Sequence, residues 1–153
     1  MKRLERLIPP PLVMLLVGLL MWGFAKWVPE LSFAWLHQVA VAGALALLGV
    51  IISLASVLSF KRAGTTIHPQ RTADPTVLVS SGPYRYTRNP MYVGVLLMLL
   101  GWGVYLGNLL SIFSVAIFIA YITRFQIVPE ERLLQENFGQ AFLNYKNKVR
   151  RWF

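Results

Sequence analysis

Four apolar stretches run through this 153-residue chain, at 12–28, 36–60, 91–106 and 109–128, and they leave few ways to fold it. A helix needs about 20 apolar residues, range about 17–25, to cross the hydrocarbon core of a bilayer. The second and fourth stretches meet that length, the first is adequate and the third is short. Ionisable groups within them sit near the ends: Lys26 in the first, His37 in the second, Arg124 in the fourth, none in the third. Pro29 and Gly107-Asn108 are the natural breaks between them. Composition agrees, since only 14% of residues are charged where soluble domains have about 25%. The expected class is an all-α integral membrane protein. It has four transmembrane helices in one domain over 1–153, with a loop at 61–90 and a tail at 129–153. Basic residues precede the first stretch as they do in a signal peptide. No small-residue cleavage site precedes Trp22 or Trp27, so that stretch is expected to be a retained span.

The net charge of +9 then bears on orientation rather than on nucleic acid. Every Lys and Arg except Lys26 falls before the first stretch, in the 61–90 loop, or from Arg124 onward. Basic segments stay on the cytoplasmic side, which predicts a multi-pass protein with both termini and the loop in the cytosol. Part of that charge is available to anionic lipid headgroups. Cysteine is absent, which excludes a disulfide framework, a thiolate nucleophile and a cysteine metal site. His37 and His68 are the only histidines and are expected on opposite sides of the membrane, so no metal site is expected. No Walker sequence or dinucleotide fingerprint occurs. Gly101-Trp102-Gly103 lies inside an apolar stretch, where small residues serve close helix packing.

Two segments remain for chemistry. In the tail, Leu134, Phe138, Ala141, Phe142, Tyr145, Val149 and Trp152 form one helical stripe, with Gly139 as a candidate break. Such an amphipathic helix either lies on the headgroups or closes over the loop. In the loop, Asn89-Pro90 reads as a helix start, Asn at the N-cap and Pro at the first position. A helix start offers free N–H groups to a carboxylate or phosphate. Tyr84, Tyr86 and Tyr92 add aromatic faces, Arg85 and Arg88 add donors, and the alternative is an interfacial belt at headgroup depth. Pro129-Glu130-Glu131 is ordinary first-turn chemistry, and equally a grip for a cationic ligand. Arg124 lies about 7 Å deeper than Pro129 along a helix, and an ionisable group at that depth is a functional candidate. Arg124 and Glu131 share a face only if the helix continues through Pro129.

The run Ser81-Gly82-Pro83-Tyr84-Arg85-Tyr86-Thr87-Arg88-Asn89-Pro90-Met91-Tyr92-Val93-Gly94, followed by Glu130-Glu131, Phe138-Gly139 and Tyr145, resembles a family of integral membrane methyltransferases. These are the isoprenylcysteine carboxyl methyltransferases and their relatives, the phospholipid N-methyltransferases. The resemblance covers roughly residues 65–151. It implies an S-adenosyl-L-methionine site built from the loop, the start of the third span and the amphipathic C-terminal helix. On that basis Thr76, Val77, Leu78 and Val79 line the cofactor largely through backbone, and Tyr84 packs against it. Asn89, Pro90, Met91 and Tyr92 form a helix-start cradle, Glu130 binds a polar or cationic part, and Arg88 and His68 contribute polar contacts. Asn89 stands where eukaryotic members usually carry His, which implies a weaker or different hydrogen-bonding role. Arg124 or Gln126 falls near the substrate-contacting position, and Arg124 and Glu131 are the candidate catalytic residues.

The function expected is S-adenosylmethionine-dependent methyl transfer to a lipophilic acceptor in the membrane, foremost a prenylated cysteine carboxylate. The alternatives are a phospholipid amine N-methyltransferase and a non-catalytic helical membrane protein that binds anionic lipid or a partner.

Overall fold

The computed structural model describes residues 7–64 and 77–153. Their regular elements are helical, with a single isolated bridge, Ser32 to Asn108. Helix α1 (Pro10–Trp27) opens on prolines, whose missing N–H costs nothing in a first turn. Helix α2 (Gln38–Arg62) ends on Lys61 and Arg62, which suit the negative end of the helix dipole. Helix α3 (Pro90–Leu106) follows the loop and stops at Gly107, whose φ of 60° is left-handed. A side chain there would also strike the carbonyl of Phe33. Asn108 then caps the next helix by accepting the Ser111 N–H at 3.1 Å, while its amide donates to Val28 O at 2.8 Å. One buried side chain thus pins two interhelical turns at the end of the bundle opposite the loop.

From Asn108 the chain is helical almost to its end, through α4 (Leu109–Phe113), α5 (Val115–Ile122), a π-helical turn (Thr123–Ile127) and α6 (Val128–Lys148). Proline inside a helix clashes with the carbonyl four residues back and lacks a donor. The wider π turn lies directly before Pro129, where it absorbs both problems. The helix therefore runs through Pro129 instead of starting there. Gly139, at φ 49° and ψ −121°, kinks α6 at the residue expected to break it.

Val13, Val17 and Met21 of α1, Leu96 and Leu99 of α3, and Val115, Phe118 and Ile122 of α5 form one buried core with Ile127. Helix α2 packs along α3 through small residues: a Cβ on Gly101 would lie 2.7 Å from Ala42 O. The rest of α2 is apolar and open, with Val39, Leu47, Ile51, Leu54 and Leu58 all exposed. Such an apolar face matches lipid, not water. Three helical runs, Pro10–Trp27, Gln38–Arg62 and Leu109–Lys148, are long and apolar enough to cross a membrane. The expected third span, α3, is apolar but has 17 residues. This is a membrane-type helical protein whose fourth crossing rests on that short helix.

Candidate active site

The site is assembled where the loop, the first turn of α3 and the start of α6 meet. Residues 77–81, with Ser81 extended, lead into a 3-10 turn, Gly82–Arg85, entered through Gly82 at φ 61°. That turn drives Tyr84 inward: it is buried, and its ring meets Phe60 edge-on at 5.3 Å. The Tyr145 hydroxyl of α6 donates to the Tyr84 carbonyl at 2.7 Å. Burial pushes the Tyr84 phenol up, helped by the charges of Tyr145 and Glu130. Burial likewise pushes Tyr145 up to about 12, so it remains a hydrogen-bond donor at neutral pH.

A second contact set ties the C-terminus to the loop. Arg88 donates from Nη2 and Nε to Glu131 Oε1 at 2.7 and 3.1 Å, and from Nη1 to Val149 O and Lys146 O at 2.7 and 3.0 Å. Arg151 reaches the same carboxylate, Nη2 to Oε2 at 2.7 Å and Nε to Oε1 at 3.1 Å. The backbone joins in: Arg88 N–H donates to Arg150 O at 2.9 Å and Thr87 Oγ1 to Arg151 O at 3.0 Å. Trp152 Nε1 then donates to Thr123 Oγ1 of the π turn at 3.1 Å. The last residues form a strap, with Glu131 as its buckle. Burial alone pushes the Glu131 carboxyl up, but the hydrogen bonds from Arg151 and Arg88, with their charges, outweigh it and hold it below its ordinary value.

The structure places the residues expected from the sequence as follows. Both Glu131 oxygens are occupied by guanidinium donors, and four of the five Arg88 N–H groups are in use, which makes this pair a latch. Asn89 sits at the N-cap of α3 but does not cap it: its Nδ2 donates to Arg151 O at 3.0 Å. The first amides of α3, on Pro90's neighbours Met91 and Tyr92, are thereby left without a side-chain cap. Beside them, Tyr92 Oη donates to Glu130 Oε1 at 2.8 Å. Val79 is buried, Leu78 half-buried and Val77 exposed. Arg124 is exposed on the π turn, its guanidinium 5.6 Å from the Phe125 ring centroid. Gln126 is buried and donates to Ile8 O at 2.7 Å, tying the turn to α1. His68 and Thr76 lie outside the described residues. Thr87 and Arg151 belong to the strap, and sequence reasoning misses both. Thr87 lies in the recognised run, but nothing local signals that Arg151 folds back on it.

A family model described as phospholipid methyltransferase matches residues 37–141, which take in α2, the loop, α3, Glu130 and Glu131. The chain belongs to the phospholipid methyltransferase family. Among relatives of this family member, an uncharacterized protein of Haemophilus influenzae is 50% identical over 62 residues, 40% of this chain and 98% of that one. A protein-S-isoprenylcysteine O-methyltransferase of Schizosaccharomyces pombe is 33% identical over 115 residues, covering 74% of this chain and 48% of its own length. One of Saccharomyces cerevisiae is 38% identical over 76 residues, 48% of this chain and 30% of that protein. The chain therefore spans half or less of the two yeast enzymes. No solved structure matches it at a significant level.

Proposed function

We propose that this protein is a membrane methyltransferase that uses S-adenosyl-L-methionine, with its site in the cytosol where the basic loops lie. What carries the proposal is that the family match covers the uncapped start of α3 with the hydrogen-bonded Glu130 carboxylate beside it. S-adenosylmethionine carries a carboxylate, a sulfonium cation and an adenine, and the residues fit each. The N-terminal amides of α3 suit the carboxylate, Glu130 suits a cationic part, and buried Tyr84 and Val79 offer apolar walls. When bound, the cofactor supplies an electrophilic methyl group on sulfur.

The chain's own part is positioning. The strap fixes the loop against α6, Tyr92 orients Glu130, and the π turn turns Arg124 outward near the same end of the bundle. Alignment of two bound reactants supplies up to about 7–11 kcal/mol of a barrier without acid–base chemistry. With Glu131 committed to the latch, the acceptor that suits this site is one already nucleophilic. A prenylated cysteine carboxylate meets that requirement and is the substrate class we favour, with Arg124 orienting its charge. It also agrees with what the yeast relatives are named for. A phospholipid amine is the second reading, supported by the family description; it must lose a proton first.

The test is transfer of tritiated methyl from S-adenosylmethionine by the protein in nanodiscs, across prenylcysteine, phosphatidylethanolamine and small-thiol acceptors. Label on prenylcysteine, reduced at least tenfold by Arg124→Ala, is expected. Label on phosphatidylethanolamine alone would establish the second reading. No transfer to any acceptor, with no cofactor bound at millimolar concentration, would sink the proposal.

A further inference from the structure

Beside the site, and sharing Leu78, Tyr145 and Val149 with it, a crevice opens between the loop and α6, with a volume of about 540 Å³. Ser80 and Arg85 lie on its loop side, and Asn144, Tyr145 and Lys148 on its helix side. Among the described residues no carboxylate lines it. Among the described residues neither Arg85 nor Lys148 has an acidic partner or a side-chain hydrogen bond, in contrast to Arg88 and Arg151 nearby. Arg85 and Lys148 are both exposed residues that line the same crevice, and an anion bound there would be attracted by both charges.

The depth of the crevice narrows the ligand. Its 3-10 turn rests on the charged end of α2: Tyr84 meets Phe60, the residue before Lys61 and Arg62. Tyr86, next to Arg85, and Phe153 are 81% and 70% exposed. Aromatic side chains set out in this way beside basic ones mark headgroup depth. The donors come from two walls and include a guanidinium fork, an ammonium, a hydroxyl and an amide. A tetrahedral oxyanion accepts from more directions than a carboxylate does, and the fork matches it bidentately.

We propose that this crevice is a subsite for a phosphate group, held by Arg85 and Lys148 with Ser80 and Asn144 as further donors. The proposal does not depend on the methyl-transfer reading. The phosphate belongs either to an anionic phospholipid in the surrounding leaflet or to a soluble phosphate from the cytosol.

The full chain in detergent is loaded with phosphatidylglycerol or phosphatidylcholine, and retained lipid is measured by native mass spectrometry. Phosphatidylglycerol should be retained preferentially. Arg85→Gln and Lys148→Gln should each lower its retention about fivefold, and together about thirtyfold, the weight of basic side chains at an anionic surface. The charge-keeping pair Arg85→Lys with Lys148→Arg should keep the lipid, which guards against a glutamine pair that fails to fold. Displacement of the lipid by millimolar inorganic phosphate, with the same dependence on both residues, would name the soluble source and support the subsite. Unchanged retention in the glutamine pair, or equal loss of both lipids, would overturn it. Displacement of the lipid by S-adenosylmethionine would also overturn it, because the crevice would then belong to the cofactor.

Discussion

Glu131 shows how one residue's environment sets its use. A carboxyl whose folded pKa is lowered stabilises the fold above its unfolded value, near 4.5. That contribution is lost as the pH falls through the lower folded value. The thermal midpoint of the protein in detergent should therefore drop on the acid side of pH 4.5. Glu131→Gln should flatten that drop and cost about 2 kcal/mol at pH 7, the scale of hydrogen bonds to charged groups. An equally steep acid limb in Glu131→Gln would place the titrating group elsewhere. Tyr92→Phe is the complementary change, since it frees Glu130 of its phenol partner. It should weaken S-adenosylmethionine binding about fivefold, the worth of one hydrogen bond near 1 kcal/mol, and calorimetry would measure it. In the sequence, the resemblance gives Glu130 to the cofactor and Glu131 to catalysis, but no local pattern tells the two adjacent acids apart. Only the fold separates them, because Arg88 and Arg151 reach Glu131 from segments 43 and 20 residues away.

Among the elements, the π turn is the one that local patterning could not reveal. The apolar periodicity continues through it, and Pro129 reads as a start signal. Removing the proline tests why the turn exists. Pro129→Ala restores a donor and removes a clash, so the helix should relax toward α geometry at Thr123–Ile127. Losing the extra residue of a π turn rotates the helix before it by about 100° relative to the helix after it. We expect the thermal midpoint to hold or rise while kcat/KM falls at least tenfold, as Arg124 is rotated relative to α6. Unchanged turnover would show that the turn only accommodates the proline. Other elements are legible for plain reasons. Gly107-Asn108 carries both a left-handed stop and a cap, Gly139 interrupts a strong stripe, and Pro90 opens α3 at the expected residue. The tail stripe is visible in the sequence, and the structure buries Phe142 on it while leaving Ala141 exposed. The strap at the chain end is not legible, because its contacts are largely backbone carbonyls, which no side-chain pattern encodes.

For the molecule as a whole, the helical membrane class comes from hydropathy, while the count of crossings depends on α3. Its 17 residues span about 26 Å, against a hydrocarbon core of about 30 Å. Helix α3 is held lengthwise against α2, so tilting to a new depth is not open to it. The remaining adjustment is in the lipid, which thins around a short helix at fractions of a kcal/mol per Å. The methyl-transfer rate should therefore be higher in nanodiscs of short-chain lipid than in thick ones, with cofactor affinity constant. A rate indifferent to acyl length would remove this effect. The site at the start of α3 then lies at the bottom of a dimple in the leaflet. On the proposed reading, a lipid-anchored substrate diffusing in that leaflet would be carried down to the loop by the shape of the membrane itself, and the protein would need no long arm to fetch it.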